Sequence, residues 1–147
     1  MLVSEVPGIL VAMPTLRDTY FEKSVILLCS YDAEGAFGLV MNHPSTTQVK
    51  EILSKELQEN VVFDIPLLVG GPVQPESFWA VHSADFSVEE TTILSPKINL
   101  SSAHDILFPL SAGQTVESYQ FGSGYAGWGA GQLDREIQEE SWWLGPL

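Results

Sequence analysis

Short apolar runs that stop at glycine, proline or asparagine recur along this chain and limit the folds open to it. Runs of this length, bounded by turn residues, are typical of buried or half-buried strands. They are also far too short to span a bilayer. The sequence predicts strands at residues 9–13, 24–30, 37–41, 66–69, 78–82, 91–94 and 116–121.

Helical patterns are fewer than strand patterns, and they do not alternate strictly with the strands. That order favours an α+β fold over a doubly wound sheet. No repeat or linker divides the sequence, so we expect a single domain over residues 1–147. The predicted helices run from Thr46 or Thr47 to about residue 57, from a cap at Ser102 to a limit at Pro109, and over residues 132–140.

The chain is strongly acidic, with 6 Lys and Arg against 19 Asp and Glu and a net charge of −13. The acids are spread from Glu5 to Glu140, so the total hides no basic subdomain. Nucleic-acid binding needs clustered Lys and Arg that displace counterions from phosphates. Direct nucleic-acid binding is therefore not expected, and the same charge argues against docking on an anionic membrane.

Cysteine and histidine usage argues against a disulfide or a metal site. Cys29 is the only cysteine, which excludes an intramolecular disulfide and a CxxC motif. The three histidines have no metal-ligand spacing, so neither a metal nor a cofactor is expected. The start of the chain does not resemble a signal peptide, and together these features favour a cytoplasmic protein without a membrane segment.

The segment from Gly122 to Gly127 has the spacing G-x-G-x-x-G between a predicted strand and a predicted helix. A dinucleotide site also needs a second parallel strand ending in an acid that holds the ribose. The chain ends at Leu147, soon after the helix, and Tyr125 and Trp128 would crowd the pyrophosphate. We therefore interpret the segment as a turn whose glycines let the backbone pass close to a neighbouring element.

Two other turns have both a structural and a functional interpretation. Gly70-Gly71-Pro72 follows a predicted strand directly, and its glycines can adopt positive φ or present N–H groups to a ligand. Asn42 ends another strand, where its amide can bond the backbone or point into a pocket. The tryptophans are interpreted as core or interface anchors, with Trp142 placed on the face of the last helix; an exposed pair at Trp142-Trp143 would indicate a partner surface.

Taken in order, these motifs resemble the YqgE/AlgH family of bacterial proteins. The matching blocks are residues 8–14; Asp18, Phe21, Ser24 and Val25; residues 35–42 with Pro44; residues 70–73 with His82; residues 124–128; and residues 131–133 with Glu136, Ile137 and Trp142.

The resemblance implies a single domain built on a curved, bifurcated, mostly antiparallel sheet with a few helices. The family has no established biochemical activity, and its occasional label of transcriptional regulator does not fit a net charge of −13 as direct DNA binding. Two basic positions of the family are absent here, since His43 follows Asn42 and Ser77-Phe78 precede Trp79. Relatives tend to continue with a further segment, whereas this chain ends at Leu147.

The leading hypothesis is a domain without catalytic activity that binds a small molecule or a protein, with a homo-oligomer as one option for the partner. The alternative is a hydrolase or redox enzyme that uses His82 with Ser24, Asp18 or Cys29, and a third option is regulation linked to DNA. The candidate ligand-binding residues are Asn42, Gly70, Gly71, Pro72, His82, Gly124, Trp128 and Gln132.

Overall fold

The computed structural model describes residues 6–16, 20–52 and 65–147. Its elements, in chain order, are β1 (Gly8–Ala12), β2 (Val25–Asp32), β3 (Gly35–Val40), β4 (Pro44–Gln48), a short 3-10 helix (Val49–Ile52), β5 (Pro66–Val69), β6 (Val73–Ser83), β7 (Thr92–Ser95), β8 (Ile98–Ser102), α1 (Ala103–Ser111), β9 (Tyr119–Gly129), α2 (Gln132–Gln138) and β10 (Trp142–Pro146).

The described chain divides into two compact units, the first made from residues within 1–43, 70–73 and 125–147. Its strands follow the order β10, β1, β2, β3, β9, and each neighbouring pair is antiparallel. The apolar faces of these strands and of α2 form one core, because alternate residues of a strand point to the same face. Its largest fully buried side chains include Leu10, Ile26, Leu28, Val40 and Leu133.

The second unit is made from residues within 44–69 and 74–124. Here β8 pairs antiparallel with both β6 and β7, and β4 pairs antiparallel with β5. The helix α1 follows β8 directly and buries its apolar face against the sheet side chains. The core of this unit includes Val49, Ala80, Ile106, Leu107 and Phe121.

The long strand β9 contributes to both units. Its first half pairs parallel with β5 through Leu68 and Gly122, and its second half pairs antiparallel with β3 through Gly38 and Ala126. The β5–β9 pairing is parallel, whereas the pairings within the β10-β1-β2-β3-β9 order and the β4–β5, β6–β8 and β7–β8 pairings are antiparallel. The predicted α+β class with a mostly antiparallel sheet is confirmed.

The prediction of a helix from Thr46 or Thr47 is wrong at its start, because Pro44–Gln48 forms strand β4. Threonine is β-branched and favours strands, and the neighbouring Ser45 hydroxyl donates to the Leu67 carbonyl at 2.6 Å across the β4–β5 pair. Only the short 3-10 turn Val49–Ile52 follows it, and the rest of the predicted helix lies outside the described residues.

The segment from Gly122 to Gly127 is not a turn, because it lies within β9. The expected close approach of another element is present, however. The Trp79 ring lies where a side chain at 122 would stand: a Cβ added at Gly122 would be 2.2 Å from Trp79 Cζ2. The Trp79 indole N–H then donates to the Gly124 carbonyl at 2.7 Å, so Gly122 accommodates a tryptophan ring rather than a pyrophosphate.

The placement of Trp142 on the last helix is wrong as well. Residues 142–146 form strand β10, which pairs with β1 through Leu10 and Leu144. Strand β8 has no long apolar run and was not predicted from the sequence. Within the described ranges, no helix is both long enough and apolar enough to cross a membrane.

Candidate functional site

The Glu136 carboxylate organises the predicted site residues Trp128 and Gln132. Its Oε1 accepts the indole N–H groups of Trp128 at 3.1 Å and Trp142 at 3.0 Å. Its Oε2 accepts the Gln132 side-chain N–H at 2.9 Å, and Gln132 Oε1 in turn accepts the Gly129 backbone N–H at 3.0 Å. Trp128 and Trp142 are buried and pack edge to face. This Glu136 cluster therefore joins β9, α2 and β10 of the first unit.

A second side-chain bond holds α2 against β2. The Tyr31 hydroxyl donates to the Asp134 carboxylate. Burial, and then the hydrogen bond and negative charge of Asp134, raise the pKa of Tyr31 above its ordinary value. The phenol therefore stays protonated at neutral pH, and it serves as a hydrogen-bond donor rather than as a proton acceptor.

Asn42 is bonded at both ends of its amide. Its Oδ1 accepts the Val25 N–H at 2.9 Å, and its Nδ2 donates to the Lys23 carbonyl at 2.9 Å. The side chain thus ties the end of β3 to the start of β2, the local bonding that asparagine favours at strand ends. The adjacent His43 ring lies 3.4 Å from the hydroxyl of buried Ser24, at the limit of a hydrogen bond.

The Gly70-Gly71-Pro72 turn lies next to β9 and to the end of β3. The Gly70 carbonyl accepts the Val40 N–H at 2.8 Å. Gly71 has a φ of +157°, and a Cβ there would stand 2.0 Å from the Tyr125 carbonyl carbon. The turn and the start of the 125–132 segment are therefore adjacent, with Gly70 and Gly71 buried and Pro72 exposed.

His82 and Gly124 belong to the second unit, and His82 is 2% exposed. A carbonyl can only accept, so His82 Nδ1, 3.0 Å from the Ser83 carbonyl, carries the proton. In the neutral ring, Nε2 then accepts from the Ser101 hydroxyl at 2.7 Å, and Ser101 Oγ lies 2.8 Å from Thr91 Oγ1. This buried polar chain joins β6, β8 and the residue that precedes β7.

The geometry gives the enzyme alternative no support. Both ring nitrogens of His82 are bonded within the fold, and its ring packs on Phe86 with centroids 5.5 Å apart. Asp18 lies outside the described residues. Over the parts of the chain that the structure describes, no three His, Cys, Asp or Glu side chains are grouped closely enough to hold a metal ion.

The buried bond between His82 and Ser101 gives a first prediction. Ser101→Ala leaves the Nε2 lone pair of His82 without its donor, and an unsatisfied buried polar group costs about 1–3 kcal/mol. Urea unfolding should show a loss of that size. Ser87→Ala, an exposed serine of the same unit, should change stability by less than about 0.5 kcal/mol. Equal effects of the two variants would contradict the assignment.

Cys29 is a weak nucleophile at neutral pH, because burial raises the pKa of its thiol to about 12. Thiolate is the reactive form, so the Cys29 branch of the enzyme alternative also gains no support.

The shifted pKa of Cys29 gives a second prediction. In the unfolded chain the thiol ionises near pH 9, while the folded chain holds its proton to about pH 12. The contribution of the thiol to the free energy of unfolding is therefore complete below pH 9. It is lost as pH rises above 9, at up to about 1.4 kcal/mol per pH unit. Denaturant unfolding measured from pH 8 to about 10.5 should show that the free energy of unfolding of wild type falls relative to that of Cys29→Ala. A constant difference between them would contradict this.

Asp85 holds a local turn close in sequence to His82. One carboxylate oxygen accepts the Ser83 hydroxyl, and the other accepts the Glu117 N–H at 3.0 Å. The Ser83 bond first, and then the Glu117 bond, lower the pKa of Asp85. This carboxylate is exposed and engaged in holding the turn.

An open apolar depression lies along β10, and we call it the β10 groove. It has a volume of about 330 Å³ and is lined by Met13, Ile137, Glu140, Trp142, Trp143 and Leu144. Trp142 faces the core at 3% exposure, whereas Trp143 is 52% exposed. The strand alternation thus divides the tryptophan pair into one core residue and one surface residue. In the sequence, only the adjacent pair Trp142-Trp143 indicated a partner surface here, and the pair alone could not show which tryptophan faces outward.

Comparisons with known proteins agree with this fold. The model of the family described as AlgH-like (DUF179) matches residues 9–147. A UPF0301 protein of Methylococcus capsulatus is 36% identical over 140 residues, which are 93% of this chain and 74% of that protein. A UPF0301 protein of Shewanella frigidimarina is 37% identical over 138 residues, covering 90% of this chain and 74% of the relative. These names state no activity.

Solved structures agree as well. The solution structure of the AlgH protein from Pseudomonas aeruginosa is similar with a TM-score of 0.77 and 33% identity, covering 95% of this chain and 76% of that one. A crystal structure of a Corynebacterium diphtheriae protein shares the fold at 23% identity with a TM-score of 0.76, over 97% of this chain and 76% of the other. The chain therefore belongs to the AlgH-like family.

Proposed function

We propose that this chain is a cytoplasmic protein-binding domain that holds its partner on the β10 groove. The observation that carries the proposal is Trp143, a large aromatic side chain that is half exposed on an edge strand beside Met13 and Leu144. Exposed aromatic residues next to an apolar depression are characteristic of binding surfaces, because tryptophan contributes large contact area at low entropic cost.

The size of the groove favours a protein side chain over a cofactor. Its volume of about 330 Å³ is at the lower end of the range of about 300–1,000 Å³ for small-molecule sites. Among its lining residues, the Trp142 indole N–H is already donated to Glu136, and the Glu140 carboxylate is exposed. Such a depression suits one large apolar side chain presented by a partner.

The compartment is part of the same proposal. Cys29 is the only cysteine and carries a free thiol, a usage that is normal in the reducing cytoplasm.

Selection from a random peptide library on the immobilised protein tests the binding function. We expect enriched peptides that lose at least about tenfold in affinity against Trp143→Ala. Ile93→Ala is the matched control, since Ile93 is 73% exposed on the edge strand β7 of the second unit. It should leave the affinity unchanged. No enrichment, or equal loss in both variants, would count against the proposal.

A small-ligand site remains a second candidate. Its support is the adjacency of Gly70-Gly71 to Tyr125 and Ala126, which brings the turn next to the strand that carries the candidate residue Trp128. A thermal-shift screen against metabolites tests it, with Asn42→Ala and Gln132→Ala as variants. A metabolite that stabilises wild type and neither variant would support this site, and a shift retained in both would oppose it.

A further inference from the structure

The strand that carries Trp143 has a free edge. Within the described residues, β10 is the terminal strand of its sheet and pairs only with β1. Residues of an antiparallel pair alternate in the direction of their N–H and C=O groups, so alternate residues of β10 direct these groups away from β1, although Pro146 has no N–H to offer. An edge of this kind can accept another extended chain through main-chain hydrogen bonds.

The surroundings of that edge are acidic. Residues 125–147 carry four acidic residues and one basic residue, Arg135. Glu139 and Glu140 are exposed at the end of α2, and Glu140 itself lines the groove. Glu140 has a φ of +63° and its carbonyl accepts the Thr15 hydroxyl at 2.6 Å, so the backbone that carries this acid is fixed.

The charge also selects among occupants. A second copy of this chain would carry the same net charge of −13 and the same exposed Glu139 and Glu140, and like charges oppose such pairing. A basic segment would instead be attracted, and its long cationic side chains could pair with Glu139 and Glu140 at the rim. The apolar depression would at the same time take one large apolar side chain of that segment.

We propose that the partner binds as an extended, basic peptide segment that adds a strand to the free edge of β10 and places one apolar side chain in the β10 groove. This inference rests on the proposed function and specifies its partner. A segment matching the five residues of β10 would span about 17 Å. Main-chain bonds supply affinity in this mode, while the groove and the acidic rim supply selectivity.

Three synthetic peptides test the chemistry of the partner. The first alternates lysine with leucine, the second replaces each lysine by glutamate, and the third is the lysine peptide with alternate backbone nitrogens methylated to remove N–H donors. We expect the lysine peptide to bind at least about tenfold more tightly than either of the others, and to weaken as salt rises.

Charge variants locate the binding. The double change Glu139→Gln and Glu140→Gln should weaken the lysine peptide several-fold. Glu89→Gln with Glu90→Gln makes the same charge change at exposed positions of the second unit and should have little effect. Trp143→Ala, and Met13→Gln as a second groove variant, should each weaken binding about tenfold, with melting curves confirming that each variant is folded.

The outcomes separate the inference from the proposed function. Trp143-dependent peptides that are not basic, or that tolerate methylation, would overturn the inference and keep the binding function. Equal losses from the two pairs of glutamate changes would show non-specific attraction and would also overturn it. Concentration-dependent dimerisation in sedimentation, abolished by Trp143→Ala, would identify a second copy as the occupant instead.

Discussion

Replacing Gly71 by alanine is expected to lower the free energy of unfolding by more than about 4 kcal/mol, a loss seen only when a substitution collides with fixed structure. A Cβ at this position would lie 2.0 Å from the Tyr125 carbonyl carbon, 2.1 Å from its oxygen and 2.4 Å from the Ala126 nitrogen. All three are backbone atoms of β9, so no side-chain rotation relieves the overlap. Melting measured by circular dichroism should fall by at least about 10 °C.

Gly131→Ala is the matched control for Gly71→Ala. Gly131 also has positive φ, +73°, but a Cβ there meets nothing within 4 Å. Gly131→Ala should therefore lower the free energy of unfolding only by the strain of a left-handed alanine, roughly 1–2 kcal/mol. If Gly71→Ala were no more destabilising than Gly131→Ala, the close packing of the turn against β9 would be wrong.

The sequence predicted strands where short apolar runs met strong turn signals. The runs at residues 9–13 and 66–69 fall on β1 and β5, and Pro14 and Gly70 follow them directly. The run at residues 24–30 falls on β2, which continues to Asp32 before the turn that leads to Gly35. It failed where pairing decides the structure. β8 and β10 contain serine, asparagine, glycine and proline, and they are strands because β6 and β1 lie beside them.

Glycine spacing was misleading for a related reason. Gly122 can be read from the sequence, but the reason for it is the ring of Trp79, more than forty positions away. A local pattern therefore suggested a turn, whereas Gly122 provides space for that ring within a strand and Gly124 adopts a left-handed φ of +72° there. Tertiary packing, which no local window contains, decided between those interpretations.

The candidate site was also only partly accessible to sequence reasoning. The blocks around Trp128, Gln132, Glu136 and Trp142 were recognisable in order, but the sequence did not show that one carboxylate bonds the other three. The groove beside Trp143 depends on which tryptophan of the pair faces outward. That orientation is set by the β1–β10 register, with Ala12 opposite Trp142.

The second large effect expected is for Glu136→Ala, which should cost about 3–5 kcal/mol. The change leaves the buried indole N–H groups of Trp128 and Trp142 without an acceptor, and each unsatisfied donor costs about 1–3 kcal/mol. It also removes the acceptor of the Gln132 amide, which positions α2. Guanidinium unfolding monitored by tryptophan fluorescence measures the loss.

Glu139→Ala is the control for Glu136→Ala, because it removes an exposed carboxylate from the same helix end and should change stability by less than about 0.5 kcal/mol. The stability of Glu136→Gln should fall between those of the two alanine variants. Its amide oxygen can still accept from the indoles or from Gln132, but its NH2 group then faces the remaining donor.

A double-mutant cycle of Glu136→Gln with Trp142→Phe isolates the bond between these two side chains and should show a coupling of about 0.5–3 kcal/mol. If Glu136→Ala behaved like Glu139→Ala, this carboxylate would not be structural.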